Sequence, residues 1–266
     1  MDANSSTPIE DIGEGQPLVL IHGLGLDTFL WDPFVPPLSE KFRVIRYDLL
    51  GHGDATPLSA PVKSVDFNAQ LLRVLDDLKI EQAVLMGFSL GGIIARTLAA
   101  QFADRVAGLI LLNTISTRPA DIQRQVIGRA DQIDSGQTEG LSEQAIERWF
   151  TPEFRAKNPE TISAVLKRLG RNRPNSYRYA YRYFAEADAE AATTHAQIDI
   201  PTLVITGAED RNSTPAMAAE IADAIVGAAC HVLPDLRHMA LVEDPATILK
   251  LVAPFVSDIQ IGKVPD

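Results

Sequence analysis

The most informative segment of the sequence is Gly87-Phe88-Ser89-Leu90-Gly91-Gly92, because it places a serine between glycines where two patterns of hydrophobicity meet. The apolar run 83–86 ahead of it is typical of a short buried strand, and residues 93–100 behind it have helical spacing. Glycines carry no Cβ, so such a strand and helix can approach closely while the serine hydroxyl points outward. The alternative is an ordinary Gly-Ser turn at the start of a helix. We predict a strand, a sharp turn that presents Ser89, and a helix.

Short apolar runs alternate with helical patterns on both sides of this stretch. The predicted strands cover residues 17–21, 42–47, 83–86, 106–113, 200–207 and 229–233, with 9–12 as a candidate edge strand. Such alternation indicates right-handed crossovers between parallel strands. The predicted fold class is therefore α/β, with a mostly parallel central sheet and helices on both of its faces.

The segment from about residue 117 to residue 197 interrupts this alternation. It is polar and rich in arginine, and it contains no strand-like run. Its patterns predict helices over residues 120–133, 142–150, 159–169 and 174–191. We predict one core formed by residues 1–116 and 198–266, with a helical cap of residues 117–197 inserted into it.

Composition excludes several classes of partner. The formal net charge of -11 argues against a protein that binds nucleic acid or an anionic membrane surface, since both need a cationic face. No apolar stretch approaches the roughly 18 residues that a membrane span needs. The stretch Met1–Ser6 lacks the basic start and apolar centre of a secretory signal, so we expect a cytoplasmic protein. The single cysteine, Cys230, lies in an apolar run, and we expect a buried thiol there.

A nucleophilic serine needs a base, a group that orients the base, and donors for the oxyanion. In an open α/β sheet the carboxyl ends of the strands share one edge, so these groups are sought directly after strands. Asp210 follows the strand 200–207, with Glu209 as a weaker rival, and His238 follows the last strand. Only His238 comes after both the serine and an acid, in the chain order Ser, Asp, His. The other histidines are His22, His52, His195 and His231.

The expected oxyanion donors are backbone amides. Leu90 directly follows the serine, and Leu24 lies in the loop His22-Gly23-Leu24-Gly25 after the first central strand. No cofactor and no metal are expected for this chemistry.

The sequence resembles α/β-hydrolase-fold enzymes over nearly its whole length. The segments that carry the resemblance stand in family order: 22–25, 48–53, 87–92, 207–210 and Arg237-His238. Within the fold it is most similar to the 3-oxoadipate enol-lactonases of aromatic degradation, through Trp31-Asp32-Pro33, Leu111-Leu112-Asn113-Thr114 and Glu147-Arg148-Trp149-Phe150-Thr151-Pro152. This resemblance implies a serine hydrolase that cleaves a small ester or lactone by way of an acyl-enzyme.

The resemblance also implies a substrate carboxylate, which an arginine of the cap would bind. The candidates are Arg148 and Arg178, together with Arg173 and Arg182. Trp149 is the expected pocket wall, although it could equally pin cap helices together. Trp31 is expected in the core near the glycine loop or at the pocket floor.

Other functions remain compatible with the same residues. A hydrolase of carbon-carbon bonds and a general carboxylesterase would both keep the triad, and a non-catalytic ligand receptor could share the fold. The expected partner is a small-molecule substrate, and the sequence is compatible with a homo-oligomer.

Overall fold

The computed structural model describes residues 7–259, apart from the side chains of residues 192 and 196. Its sheet has the strand order β1-β3-β2-β4-β5-β6-β7, in which β1 pairs antiparallel with β3 and the other neighbours are parallel. The strands are β1 (Ile9–Ile12), β2 (Pro17–Ile21), β3 (Arg43–Tyr47), β4 (Ala83–Phe88), β5 (Val106–Leu112), β6 (Thr202–Gly207) and β7 (Ala229–Leu233). This confirms the mostly parallel sheet and the edge strand at residues 9–12.

Helices cover both faces of the sheet. Outside the segment between β5 and β6 they are α1 (Val35–Ser39), α2 (Ser64–Asp77), α3 (Leu90–Gln101), α10 (Pro215–Ala224), α11 (Ala240–Glu243) and α12 (Pro245–Asp258). Alternate residues of β2 point to opposite faces: Leu18 and Leu20 join the apolar cluster that contains α12, and Val19 and Ile21 join the one that contains α2. The central strands are therefore buried on both sides, which explains their continuous apolar sequences.

The segment between β5 and β6 is helical, as predicted, but it contains six α-helices where four were predicted. Its helices are α4 (Ala120–Asp134), α5 (Leu141–Trp149), α6 (Pro152–Lys157), α7 (Pro159–Leu169), α8 (Pro174–Glu186) and α9 (Asp188–Thr194). Helix α6, which sequence analysis missed, begins with Thr151 as its N-cap. The helix predicted over 174–191 ends at Glu186, and a new one begins at Asp188. The domain boundaries at 117 and 197 stay a prediction.

The expected burial of Cys230 is wrong. Strand β7 lies at the edge of the sheet, and the residues 229–232 are exposed. An apolar run on an edge strand therefore does not guarantee a buried thiol. None of the helices within residues 7–259 has the length and apolar character to cross a membrane. The stretch 1–6, on which part of the expected location rests, lies outside the described residues.

Candidate active site

Ser89 occupies the predicted sharp turn between β4 and α3. Its backbone has φ 51° and ψ −111°, a strained conformation for a residue with a side chain. A Cβ on Gly91 would lie 2.1 Å from the carbonyl oxygen of Ile21, so only glycine permits this approach of helix to sheet. The amide of Ser89 donates to the carbonyl of Leu112 at 2.9 Å. The turn is thus fixed by the neighbouring strands, as expected of a strand-turn-helix elbow.

Asp210 and His238 meet at the carboxyl edge of the sheet. Nδ1 of His238 donates to Oδ2 of Asp210 at 2.8 Å, and both side chains are buried. Oδ1 of Asp210 accepts from the amides of Asn212 at 2.8 Å and Ser213 at 3.0 Å. The carboxylate that these amides hold in place keeps the imidazole oriented with its proton on Nδ1. Nε2 of His238 is left as the nitrogen that can accept a proton.

Ser89 and His238 line the same cavity, whose volume is about 70 Å³. The imidazole of His238 packs between two aromatic rings, with centroid distances of 5.1 Å to Phe88 and 6.1 Å to Trp149. The rest of the wall comes mainly from α4, α5 and α8. The segment between β5 and β6 therefore covers the serine, which is only 6% exposed.

The two expected oxyanion amides lie beside this cavity. Leu90 is the first residue of α3, where the helix dipole places positive partial charge, and Leu24 lines the cavity. Within residues 7–259 neither amide donates to a protein acceptor. Both N–H groups are thus available to a substrate oxygen.

His22 holds the glycine loop in place. Its Nδ1 donates to the carbonyl of Gly23 at 2.8 Å, and its Nε2 accepts from the amide of Leu49 at 2.9 Å. Burial lowers the pKa of His22, so the ring stays neutral and can keep this acceptor. The ring therefore ties the loop that carries Leu24 to the loop after β3.

The candidate substrate-binding residues divide into two groups. Arg148 and Trp149 line the cavity. Trp31 does not line it: the ring is fully buried in the apolar cluster beneath the glycine loop, edge-on to Phe34 at 5.6 Å. The expected role of Trp31 at the pocket floor is therefore wrong, and its core placement is confirmed.

The other three candidate arginines have partners elsewhere. Arg178 does not line the cavity, because its guanidinium lies over the ring of Tyr179, 4.7 Å from the centroid. Arg173 donates to the carbonyl of Ala55, and Arg182 forms ion pairs with Asp131 and Asp134. None of these three arginines lines the cavity, and a substrate contact of Arg178 stays a prediction.

Two functional candidates were missed by sequence analysis. Asn113, at the end of β5, donates from Nδ2 to Oδ2 of Asp210 at 2.9 Å. Its place directly after a parallel strand was a usable signal, because all such ends share one edge of the sheet. Arg129 of α4 also lines the cavity, and its Nε donates to the hydroxyl of Tyr181 at 3.0 Å. Nothing in the local sequence distinguishes Arg129 from the exposed Arg124 of the same helix.

A polar network joins the histidine loop to the end of α5. Glu243 accepts from the amide of Thr151 at 2.7 Å and from the amide of Arg237 at 2.9 Å. The guanidinium of Arg237 donates to the carbonyls of Glu147 and Phe150 at 2.9 and 3.1 Å. The backbone on either side of His238 is thus bonded to the backbone around Arg148 and Trp149.

Comparison with known proteins decides the family. The sequence pattern of the alpha/beta hydrolase fold matches residues 16–245, which includes Ser89, Asp210 and His238. The chain belongs to the α/β-hydrolase fold family. The sheet order and the strained serine turn described above agree with this assignment.

Three α/β hydrolases are similar to this chain over most of its length. It is 31% identical to (E)-2-((N-methylformamido)methylene)succinate hydrolase of Acinetobacter baylyi, over 89% of this chain and 88% of that protein. It is 29% identical to 3-oxoadipate enol-lactonase 2 of the same organism, over 86% of this chain and 84% of that protein. The crystal structure of the enol-lactonase from Burkholderia xenovorans LB400 superposes with a TM-score of 0.87 at 29% identity, covering 96% of this chain and 98% of the other. The predicted resemblance to enol-lactonases is confirmed.

Proposed function

We propose that this α/β hydrolase cleaves a small ester or lactone that carries a carboxylate, with an enol-lactone as the leading specific substrate. The observation that carries the proposal is the placement of a strained serine in one cavity with a histidine that is bonded to a buried carboxylate. That arrangement suits acyl transfer, since each group has the partner that its role needs. The names of the relatives, two of them enol-lactonases and one a hydrolase of a substituted succinate, support the same substrate class.

In the proposed mechanism, Ser89 attacks the substrate carbonyl while Nε2 of His238 takes the hydroxyl proton. Asp210 keeps the imidazole oriented and stabilises the imidazolium that forms. The amides of Leu24 and Leu90 bind the oxyanion of the tetrahedral intermediate. His238 then gives its proton to the leaving oxygen, and an acyl-Ser89 ester remains.

The second half of the reaction releases the acid. A water molecule gives a proton to His238 and attacks the acyl carbonyl, and the same two amides bind the second oxyanion. Collapse of this intermediate regenerates Ser89 and yields a carboxylate product. With a lactone, alcohol and acid belong to one molecule, so an enol-lactone opens to an enol that becomes a keto acid.

Arg148 is the proposed partner of the substrate carboxylate. Its side chain lines the cavity, and its Nε is buried without a hydrogen-bond partner among the described residues. A carboxylate seated there would satisfy that donor and balance its charge. Trp149, the next residue, would then form the wall between this carboxylate and the imidazole of His238.

A substrate panel tests the proposal. Purified protein is assayed with an enol-lactone, aryl esters and a vinylogous diketone, each with wild type, Ser89→Ala and the control Ser257→Ala, which changes an exposed serine of α12. We expect Ser89→Ala to lose turnover by about 10³-fold or more and Ser257→Ala to keep it. Full turnover by folded Ser89→Ala would overturn the mechanism.

The same panel separates the alternatives. Faster cleavage of the diketone would assign a carbon-carbon bond hydrolase, and a broad preference for neutral aryl esters would assign a carboxylesterase. The absence of turnover for every compound would favour the non-catalytic receptor.

A further inference from the structure

The cavity wall is cationic and carries no carboxylate. Arg118, Arg129 and Arg148 line it, while no aspartate or glutamate of the described chain does. The charge of Arg118 is already balanced, because its guanidinium donates to Asp188 at 2.5 Å and to the carbonyl of Phe184 at 3.1 Å. The positive charge available to a ligand therefore belongs to the other two arginines.

Arg129 and Arg148 have no acidic partner within ion-pair distance among residues 7–259. Nε of Arg129 is occupied by the hydroxyl of Tyr181, which leaves its terminal nitrogens free to face a ligand. Burial, and after it the positive charge of Arg129, lowers the pKa of Arg148. Glu147 acts on the pKa of Arg148 in the opposite direction, but it neither lines the cavity nor lies within ion-pair distance. Arginine stays protonated at neutral pH, so two like charges share the cavity wall without an ion-pair partner among residues 7–259.

Two tyrosines complete the polar end of the cavity. Tyr177 and Tyr181 meet edge to face, with their centroids 5.7 Å apart, and both line the wall beside the arginines. Burial raises the pKa of Tyr177, so its phenol stays neutral. A neutral hydroxyl can donate to an anion, whereas a phenolate would repel it. The cluster of Arg129, Arg148, Tyr177 and Tyr181 is thus built from donors.

The two unpaired guanidinium groups indicate how many negative charges the ligand carries. One carboxylate would neutralise one guanidinium and leave the other in the cavity without a partner, which is costly where the charge is largely buried. We propose that the substrate carries two carboxylates in addition to the bond that is cleaved, one bound by Arg148 and the other by Arg129. This inference rests on the proposed function, and it narrows the substrate class to small dicarboxylates.

The two arginines have different places in this arrangement. Arg148 keeps the carboxylate that the proposed function gives it, because its buried Nε has no hydrogen-bond partner among residues 7–259. Arg129, whose Nε already donates to Tyr181 of α8, binds the second carboxylate. A substrate with a single carboxylate would therefore depend mainly on Arg148.

Three esters test the proposal with wild-type enzyme. They are the 4-nitrophenyl monoesters of butyric acid, glutaric acid and propane-1,2,3-tricarboxylic acid (1-ester), which carry no, one and two free carboxylates. We expect kcat/KM to rise by about 10-fold or more with each carboxylate, because each completes a charge-assisted contact. The net charge of -11 repels anions from the protein as a whole, so such a ranking requires a local cationic site.

Variants assign each carboxylate to its arginine. Arg129→Met is expected to lower kcat/KM for the two-carboxylate ester by about 10-fold or more beyond any loss with the one-carboxylate ester. Arg148→Met is expected to lower both. The matched control is Arg124→Met, an exposed arginine of the same helix as Arg129, and it should change neither.

The outcomes separate this inference from the proposed function. If wild type cleaves the esters but the second carboxylate gives no gain, or if Arg129→Met affects both anionic esters equally, the dicarboxylate inference is overturned and the hydrolase stands. If no ester is cleaved, the proposed function fails, and calorimetry with Ser89→Ala still tests the site. Propane-1,2,3-tricarboxylate should then bind about 10-fold more tightly than glutarate, with the difference lost in Ser89→Ala/Arg129→Met. Equal affinities would overturn the inference.

Discussion

Asn113 donates a 2.9 Å hydrogen bond to Oδ2 of Asp210, the same oxygen that accepts from Nδ1 of His238. The residue has φ 45°, a left-handed conformation that asparagine tolerates better than most side chains. Its amide nitrogen also lies 3.3 Å from the carbonyl of Arg237. Asn113 therefore links the end of β5 to both loops that carry the acid and the base, and we regard it as a positioning residue.

Replacing this amide by a carboxylate tests that role. Asn113→Asp keeps the size of the side chain and tolerates the left-handed backbone, but it places a second acid against Asp210. Two adjacent carboxylates cannot both stay ionised, so His238 loses part of its support. We expect kcat to fall by about 10-fold or more with KM changed by less than about 2-fold, and the acidic limb of the kcat–pH profile to move. Asn175→Asp, at an exposed site, is the control, and an unchanged kcat in the folded variant would refute the role.

The network around Glu243 predicts a different kinetic effect. Its carboxylate joins the amides of Thr151 and Arg237, so Glu243→Ala removes one link between the end of α5 and the histidine loop. The bonds from Arg237 to the carbonyls of Glu147 and Phe150 remain, so the connection is loosened and not lost. Because Arg148 and Trp149 lie in that part of α5, we expect KM for anionic esters to rise by about 5-fold or more. Glu153→Ala removes an exposed glutamate of the neighbouring helix and should leave KM unchanged. Equal KM values for the two variants would contradict this coupling.

The buried ion pair of Arg118 and Asp188 predicts an effect on stability. The side chains are only 1% and 6% exposed, so Asp188→Asn leaves a buried guanidinium without its counter-charge. We expect the free energy of unfolding in urea to fall by about 3–5 kcal/mol. Asp131→Asn breaks an exposed pair with Arg182 and should cost less than about 1 kcal/mol. Similar losses in the free energy of unfolding for both variants would show that the buried pair stabilises the fold no more than the exposed pair does.

His52 predicts a dependence of stability on pH. Burial, and after it the neighbouring His22, lowers the pKa of His52 from 6.5 to about 3 in the folded protein. The unfolded chain therefore binds a proton first as the pH falls, and the folded state loses stability through this window. Between pH 7 and pH 5 the loss from this one group is about 2 kcal/mol.

Urea titrations at pH 7 and pH 5 measure how much of the loss in stability comes from His52. His52→Asn can retain the bond that Nδ1 makes to the carbonyl of Leu50, and it removes the titrating ring. We expect the variant to lose less stability than wild type on acidification, while His231→Asn on the exposed edge strand behaves like wild type. An identical pH dependence in His52→Asn and wild type would show that His52 does not stay neutral.

Most of the core could be predicted from sequence because its signals are local. The continuous apolar runs of β2 and β4 reflect burial on both faces, and the glycines at 87 and 91 reflect the close approach of α3 to the sheet. Asp210 and His238 could be found because the order of the chain and the shared edge of a parallel sheet restrict where an acid and a base can lie.

The cavity wall could not be predicted, because its contacts join residues far apart in sequence. Arg129 and Tyr181 are 52 residues apart, and Asn113 and Asp210 are 97 apart. Conversely, Arg178 looked like a ligand-binding residue but stacks on the adjacent Tyr179. The break between α8 and α9 coincides with another long-range contact, since Oδ1 of Asp188, the first residue of α9, accepts from the amide of Arg118.

Covalent labelling of Ser89 tests the central claim most directly. Folded protein is treated with a small alkyl fluorophosphonate, and the adduct is counted by intact mass and located by peptide mapping. We predict one adduct on Ser89 in wild type, none in Ser89→Ala, and labelling slowed by about 10²-fold or more in His238→Asn, which lacks the base. An unlabelled wild-type protein that retains its fold, or an adduct on another residue, would contradict the assignment of Ser89 as the nucleophile.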